Sequence, residues 1–188
     1  LFDDVITKAG TTGSFSIEPR SGDNSFSAAT TIRNLDISTV SAFTSGKVGN
    51  TAALTISSAL TAAAPMTFHG GAMTIGGALT ATNNDINLYA TGAVTQTAAI
   101  IANNLGLHGT GTFTLNNTSN NVATLAGGES STRLGSLSFT DASGGLTIGT
   151  VGTKSGVHSS GTVLVETLAG DLTIAQNIST SNTTSNAI

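Results

Sequence analysis

Residues 53–114 decide the fold, and they read ALTISSALTAAAPMTFHGGAMTIGGALTATNNDINLYATGAVTQTAAIIANNLGLHGTGTFT. An apolar–polar–apolar triplet returns along this stretch with steps of 19 (54 to 73), 21 (73 to 94) and 19 (94 to 113). A second series of triplets lies between the members of the first. The first series is Leu54-Thr55-Ile56, Met73-Thr74-Ile75, Val94-Thr95-Gln96 and Phe113-Thr114-Leu115, and the second is Met66-Thr67-Phe68, Ile86-Asn87-Leu88 and Leu105-Gly106-Leu107. Alternating triplets bounded by Gly, Asn and Ser predict short strands and turns, and their regular return predicts strands stacked coil on coil.

This periodicity predicts an all-β fold, a right-handed parallel β-helix (solenoid) with coils of about 20 residues. Residues 1–14 are expected to form an N-terminal cap or a pairing strand, and residues 181–188 a polar tail or the start of a further coil. Residues 15–180 are expected to form about eight or nine coils. Beyond Leu115 we assign Leu137-Ser138-Phe139 to the second series, and both Leu146-Thr147-Ile148 and Leu172-Thr173-Ile174 to the first.

The composition excludes several classes of function. Charged residues make up 9% of the 188 residues, and the formal net charge is −4. The six basic residues lie far apart in the sequence, so they form no basic patch that could bind nucleic acid. The chain has no cysteine, so it has neither disulfides nor thiolate metal ligands. No apolar run is long enough to span a membrane as a helix. We therefore expect no nucleic-acid partner, no membrane insertion and no cofactor.

A column of threonines is the first candidate surface. Aligning the coils places Thr74, Thr95 and Thr114 on one outward face, together with Thr55, Thr147 and Thr173. A flat face of hydroxyl groups at strand spacing is compatible with binding ice, and it is equally compatible with packing against another chain. The simpler interpretation is structural, because β-branched threonine favours strands and hydrogen-bonds its neighbours across them.

A column of rings is the second candidate surface. His69, Tyr89 and His108 follow the second triplets of three successive coils, and the same alignment continues to Thr140 and Glu166. An aromatic and imidazole stripe can stack on a sugar ring or on a partner surface, or it can simply cover the edge of a sheet. A metal site is not expected, because His69 and His108 lie two coils apart and no carboxylate completes a ligand set.

Catalysis is the less favoured alternative. Polysaccharide-degrading enzymes share the parallel β-helix fold, and they need carboxylates that converge on one face. The nearest pair here is Asp141 and Glu166, without an Arg or Lys beside Asp141. No Gly-x-Ser-x-Gly elbow or phosphate loop is found. We therefore predict a protein that is not an enzyme and has no catalytic residues.

Polar residues at the corners point to structural hydrogen bonds. Asp85 aligns with Asn104, and Asn84 with Asn103, where amide side chains can bond neighbouring turns and tolerate a left-handed backbone. Gln96 occupies an inward triplet position and therefore needs a buried partner. Asn-x-Ser/Thr sequons are interpreted as corners rather than glycan acceptors, and they begin at Asn116, Asn117, Asn177 and Asn182.

The blocks Leu54–Phe68, Met73–Leu88 and Leu146–Ile174, with their L-T-I openings and Ala/Gly/Asn-rich corners, resemble the repeats of filamentous haemagglutinin-type exoproteins. These are large bacterial surface adhesins of the two-partner secretion class, and the resemblance implies a right-handed parallel β-helix at the cell surface or outside the cell. The Asn-Pro-Asn motifs of that family's secretion domain are missing, since the only prolines are Pro19 and Pro65. The resemblance therefore implies a piece of the shaft, and Leu1 is interpreted as the start of a fragment or of a processed product.

The function we predict from these observations is a non-catalytic structural segment of a secreted or cell-surface bacterial adhesin or extracellular matrix filament, with a role in cell adhesion and biofilm. A stack of coils exposes strand edges at its ends, which must be capped or paired. The expected partners are therefore other copies of the chain or neighbouring repeats, joined head to tail, together with host or matrix glycans. A glycan- or ice-binding solenoid is the alternative.

Overall fold

The computed structural model describes residues 6–7, 13–142, 144–184 and 187–188, and within them all regular structure is β. The strands, in chain order, are β1 Ile6–Thr7, β2 Ser14–Ile17, β3 Thr30–Ile32, β4 Leu35–Asp36, β5 Ala42–Ser45, β6 Leu54–Ile56, β7 Leu60–Ala62, β8 Met66–Gly70, β9 Met73–Ile75, β10 Leu79–Ala90, β11 Val94–Gln96, β12 Ile100–His108, β13 Thr112–Leu115, β14 Asn121–Gly127, β15 Ser136–Asp141, β16 Leu146–Ile148, β17 Thr150–Val151, β18 Lys154–Ser155, β19 Val157–Ser159, β20 Val163–Thr167, β21 Leu172–Ile174 and β22 Ile178–Thr180.

Parallel pairing between successive coils builds the molecule. A seven-stranded sheet runs in the order β20-β15-β13-β11-β9-β6-β3, and an eleven-stranded sheet contains the path β2-β5-β8-β10-β12-β14-β16-β21. Strands inside these two sheets pair with strands one coil before and one coil after them, as β9 does with β6 and β11. The chain makes about seven turns of about 21 residues each, against the eight or nine expected. The predicted all-β solenoid of parallel strands is confirmed.

The core is the column of inward triplet residues. Ile56, Ile75 and Leu88 are fully buried, and the polar residue between each pair of inward side chains points outward. Near the beginning of the solenoid three phenylalanines stack on the inside, with ring centroids 6.0 Å apart for Phe15 and Phe43 and 5.7 Å apart for Phe43 and Phe68. Because a strand alternates its side chains between two faces, one triplet fills the core and carries one surface residue.

The assignment of strands beyond Leu115 differs from the prediction. Phe113 pairs with Leu137, so Leu137-Ser138-Phe139 continues the first series rather than the second. The Leu146 triplet pairs with the Leu172 triplet, and Thr147 pairs with Thr124 in the eleven-stranded sheet, so these triplets belong to the second series. Two insertions cause the difference, namely a loop of residues 128–135 and the β17–β18 antiparallel hairpin. The letters Leu-Thr-Ile specify a strand but not the sheet to which it belongs.

The inward Gln96 has its partner in the buried Asn120. The Nε2 of Gln96 donates to Oδ1 of Asn120 (2.9 Å), and the Nδ2 of Asn120 donates to Oε1 of Gln96 (3.0 Å). Asn120 also donates to the carbonyls of Leu115 and Thr140 and accepts from the amide of Ile100. One buried amide therefore joins three successive coils.

The predicted Asp85–Asn104 alignment is confirmed, and Nδ2 of Asn104 donates to Oδ1 of Asp85 (2.7 Å). Left-handed backbone occurs at two other corner asparagines, Asn34 (φ 50°) and Asn83 (φ 56°). Asparagine tolerates this conformation better than most other residues with a side chain, which explains why asparagine occupies these corners.

The two ends of the solenoid differ from its middle. Ile6–Thr7 pairs in parallel with Leu35–Asp36, while residues 1–5 and 8–12 lie outside the described part of the chain. In the last coil, Leu172 and Ile174 are 39% and 52% exposed, although Leu146 and Ile148, which precede them in the same stack, are buried. We call the uncovered side of β21 and β22 the open end.

Candidate functional site

Strand register builds a stack of three rings on the outside of the eleven-stranded sheet. Tyr89 of β10 is in register with His69 of β8 and with His108 of β12. Ring centroids lie 4.3 Å apart for His69 and Tyr89 and 3.9 Å apart for Tyr89 and His108, with interplanar angles of 24° and 13°. The predicted juxtaposition of these residues is thus found, and we call the three residues the ring stack.

Stacking limits which parts of these rings a ligand can reach. Both faces of Tyr89 are covered by imidazoles, and His108 is buried, with 6% of its surface exposed. A sugar stacked flat on Tyr89, as the sequence suggested, therefore has no free face to use. What Tyr89 offers to a ligand is the edge of its ring, which carries the positive part of the quadrupole of an aromatic ring.

A hydrogen bond across a glycine fixes His108. The Nε2–H of His108 donates to Oδ1 of Asn87, 3.0 Å away in the preceding coil. This bond passes over Gly106, where an added Cβ would clash with Asn87 Oδ1 and lie 2.9 Å from His108 Nε2. Glycine is therefore needed at position 106 for close approach rather than for an unusual backbone conformation.

Both imidazoles of the ring stack favour the neutral form. Burial lowers the pKa of His108 to about 4, and the positive charges of Lys154 and of protonated His69 act in the same direction, against the opposing effect of Glu129. Burial also lowers the pKa of His69 from 6.5, while Glu18 partly opposes this. At neutral pH the ring stack is therefore uncharged.

The two insertions meet beside His108. Lys154, in the β17–β18 hairpin, forms an ion pair with Glu129 of the 128–135 loop. The hydrogen bond and the charge of Lys154 lower the pKa of Glu129. This pair links the two insertions at one end of the ring stack.

A cavity lies at the other end. It has a volume of about 170 Å³ and opens between the ring stack and the loop of residues 47–51, which follows β5. His69 and Tyr89 line it and His108 does not. Val48 also lines the cavity, and 75% of its surface is exposed.

The column of rings continues differently from the prediction. Thr140 and Glu166 pair with each other in the seven-stranded sheet, so neither lies below His108. Leu107 pairs with Gly127 and Gly127 with Val157, which places Gly128 and then His158 in the column. Sequence reasoning missed His158 because the insertions break the constant period, and its signal is the Val-His pair that opens β19. The Nδ1 of His158 lies 2.7 Å from Oγ of Ser179 in the next coil.

The threonine column lies on the seven-stranded sheet. Thr55, Thr74, Thr95 and Thr114 are in register, and the last three are exposed. Thr147 and Thr173 were predicted to join them but lie in the other sheet, stacked on Thr124. The column continues instead to Ser138 and then to the exposed Leu164. It therefore spans fewer threonines than expected and ends in an apolar residue.

The two carboxylates considered for catalysis do not face a common exposed surface. Asp141 is fully buried, and its Oδ1 accepts the amide of Val122 (2.9 Å). Glu166 is exposed and accepts the hydroxyl of Thr140 (3.4 Å). In register, Asp141 pairs with Thr167 rather than with Glu166. Among the described residues no three His, Cys, Asp or Glu side chains are grouped to hold a metal ion.

No protein-family model, curated protein or solved structure matches this chain. Within residues 6–7, 13–142, 144–184 and 187–188 there is also no helix that is long and apolar enough to cross a membrane. The fold and the site together define the chain as a parallel β-solenoid that carries an uncharged ring stack beside a small cavity.

Proposed function

We propose that this chain is a non-catalytic shaft segment of a secreted or cell-surface bacterial adhesin or extracellular matrix filament, and that copies of it associate end to end. The observation that carries the proposal is the open end. There, Leu172 and Ile174 occupy inward core positions but are 39% and 52% exposed among the described residues, whereas Leu146 and Ile148 of the preceding coil are buried.

The strand edges at the open end favour a further parallel coil as the covering group. β21 pairs with β16 and β22 with β19, each on one side within the described residues. An unpaired edge presents backbone donors and acceptors that another strand can satisfy. Leu172 and Ile174 are already about half buried, so covering them fully contributes a further ~1 kcal/mol for each side chain, about half of the ~1.5–3 kcal/mol for burying a fully exposed one.

The hydrogen bonds between successive coils support a mechanical role. Backbone hydrogen bonds run along the axis from coil to coil, as from the amide of Leu54 to the carbonyl of Ala72 (2.9 Å). A solenoid of this kind is stiff because each coil is held by its neighbours. The resemblance to adhesin shaft repeats supports the same role and the location outside the cell, and the separation of Asp141 from Glu166 supports a role without catalysis.

Light scattering and electron microscopy of the isolated chain over a range of concentrations test this proposal. We expect rods that lengthen as the concentration rises, because a head-to-tail contact does not close on itself. The double variant Leu172→Lys/Ile174→Lys should remain monomeric at every concentration, because it places charges on the open end.

The matched control is Leu164→Lys. Leu164 is also exposed in the last part of the chain, at 60%, but it points outward from the seven-stranded sheet and not along the axis. It should leave rod growth unchanged. A single monomeric species at high concentration, or equal effects of the control and the double variant, would contradict end-to-end association.

A further inference from the structure

The cavity beside the ring stack is small, with room for about one ring-sized ligand. Its volume of about 170 Å³ is below the roughly 300–1,000 Å³ of sites that hold drug-sized ligands. It lies several coils away from the open end, on the side of the solenoid. Whatever binds there does so independently of end-to-end association.

The lining of the cavity combines apolar and polar groups. Gly70 and Ala90 line it, and Val48 contributes an exposed apolar side chain. The hydroxyl-bearing Thr51 and Thr91 line the cavity and are exposed. Apolar surface with a few placed polar groups is typical of small-ligand sites, and sugars present both apolar CH groups and hydroxyls.

The charge of the cavity selects among sugars. Lys47 is the one charged residue among its described lining residues. Its Nζ donates to the carbonyl of Asp23 (3.2 Å), which holds the ammonium in place and leaves two of its three donors. The stacked imidazoles cover the electron-rich faces of Tyr89, so a ligand in the cavity meets the edge of this ring. The edge carries partial positive charge and therefore favours negative oxygen atoms.

We propose that this cavity binds one carboxylated sugar ring, a hexuronate unit of an acidic glycan. The carboxylate pairs with Lys47, the ring CH groups contact Val48, and the sugar hydroxyls bond to Thr51 and Thr91. The uncharged ring stack forms the wall and holds Tyr89 in one orientation. His69 and Tyr89 contact the ligand, and His108 acts as a positioning residue.

Titrations with glucuronate and with glucose, followed by amide chemical shifts of the full chain, test the proposal. We expect glucuronate to shift the amides of the 47–51 loop and of Thr91, and to bind at least tenfold more tightly than glucose. Lys47→Gln should weaken glucuronate binding about tenfold and leave glucose binding unchanged. Added salt should weaken glucuronate binding and not glucose binding, since the contact with Lys47 is near the surface.

Lys154→Gln is the matched control, because Lys154 lies beside the opposite end of the ring stack and does not line the cavity. It should leave glucuronate binding within twofold of the unaltered chain. Equal binding of the two sugars, absence of shifts in the 47–51 loop, or an equal loss with Lys47→Gln and Lys154→Gln would overturn the proposal. Light scattering on the same samples shows separately whether end-to-end association occurs.

Discussion

Tyr89 is held between two neutral imidazoles, and its environment depends on their staying neutral. His108 is the more strongly constrained of the two, because it is buried and bonded to Asn87. Protonation of His108 would place a charge in a site that water hardly reaches. The ring stack is therefore a point at which pH acts on the stability of the solenoid.

We predict that acid lowers the free energy of unfolding through His108. Its pKa is 6.5 when unperturbed and about 4 in the folded chain. Between these values the unfolded chain binds a proton that the folded chain does not, so stability is lost as the pH falls from about 6.5 to about 4. One pKa unit corresponds to about 1.4 kcal/mol, so the full loss is up to about 3 kcal/mol, and less where water reaches the ring edge.

Urea denaturation between pH 7 and pH 4 measures this loss, and His108→Gln should reduce the slope. Tyr89→Phe is the control, since it keeps the stacked ring and adds no titrating group. An imidazole titration of His108 near pH 6.5, measured by NMR, would show that burial does not hold the neutral form.

Gly106→Ala is predicted to break the bond between His108 and Asn87. The new Cβ meets the Asn87 amide and lies 2.9 Å from His108 Nε2, so the Asn87 side chain must move away. The cost should be about 1–3 kcal/mol, because the buried Nε2–H of His108 is left without its partner. Gly76→Ala is the comparison, because its Cβ would make a tight contact with the backbone carbonyl oxygen of Ile56 (3.3 Å) but would not displace a hydrogen-bonded side chain.

A double-mutant cycle decides whether the hydrogen bond is the cause. In an Asn87→Ala background, Gly106→Ala should cost less than it does in the unaltered chain, since the Asn87 amide is gone and only the 2.9 Å contact with His108 Nε2 remains. Additive costs would instead point to strain in the strand itself.

Sequence reasoning reached the ring stack through a constant offset, because each ring residue directly follows a triplet. The offset could not show that the rings cover one another, since that depends on side-chain orientation. It also could not show that His108 reaches Asn87 across Gly106. The residues of the site were therefore predictable, whereas their accessibility and charge were not.

At the scale of strands and corners, the buried Asn120 links three successive coils. Its side chain is completely buried and bonds to groups in the coil before, in its own coil and in the coil after. Its position between β13 and β14 makes it the corner of two sheets. No other residue type of similar size offers both the two donors and the acceptor that this corner uses.

Asn120→Leu is predicted to destabilise the chain by more than about 3 kcal/mol, because it leaves several buried backbone groups and Gln96 without partners. Urea denaturation measures the total cost, and hydrogen exchange should show faster exchange of the Ile100 amide, which donates to Asn120 Oδ1.

Asn117→Ala is the matched control for this corner. Asn117 also bonds across coils, to the carbonyl of Thr97 (2.9 Å), but this hydrogen bond is exposed to solvent. Water can replace its bond, so the cost should stay below about 1 kcal/mol. Similar costs for Asn117 and Asn120 would show that burial is not what makes the corner strong.

The strands themselves were predictable where the period is constant, and their order was not predictable where it is interrupted. Between Leu54 and Leu115 every triplet takes the expected place. After Leu115 the insertions shift the phase, and an inward apolar residue is equally well buried in either sheet. The need of Gln96 for a partner was clear from its position, but the partner, Asn120, lies 24 residues away and only the fold brings them together.

At the scale of the whole molecule, protection should decrease toward the open end. Coils in the middle are covered on both sides, whereas all three residues of β21 are exposed. Solenoids lose terminal coils by local unfolding because each coil is stabilised only by its neighbours. Hydrogen exchange should therefore be slowest in β8, β10 and β12 and fastest in β21 and β22.

This gradient also provides a test of end-to-end association that does not depend on particle size. If a second copy covers the open end, then β21 and β22 gain protection as the protein concentration rises, while β8, β10 and β12 stay unchanged. The gain follows from mass action, since only the folded last coil can accept the partner. In Leu172→Lys/Ile174→Lys the protection of β21 and β22 should not depend on concentration, whereas Leu164→Lys should behave as the unaltered chain does. Rods that form without added protection of β21 and β22 would mean that the copies associate through a side of the solenoid.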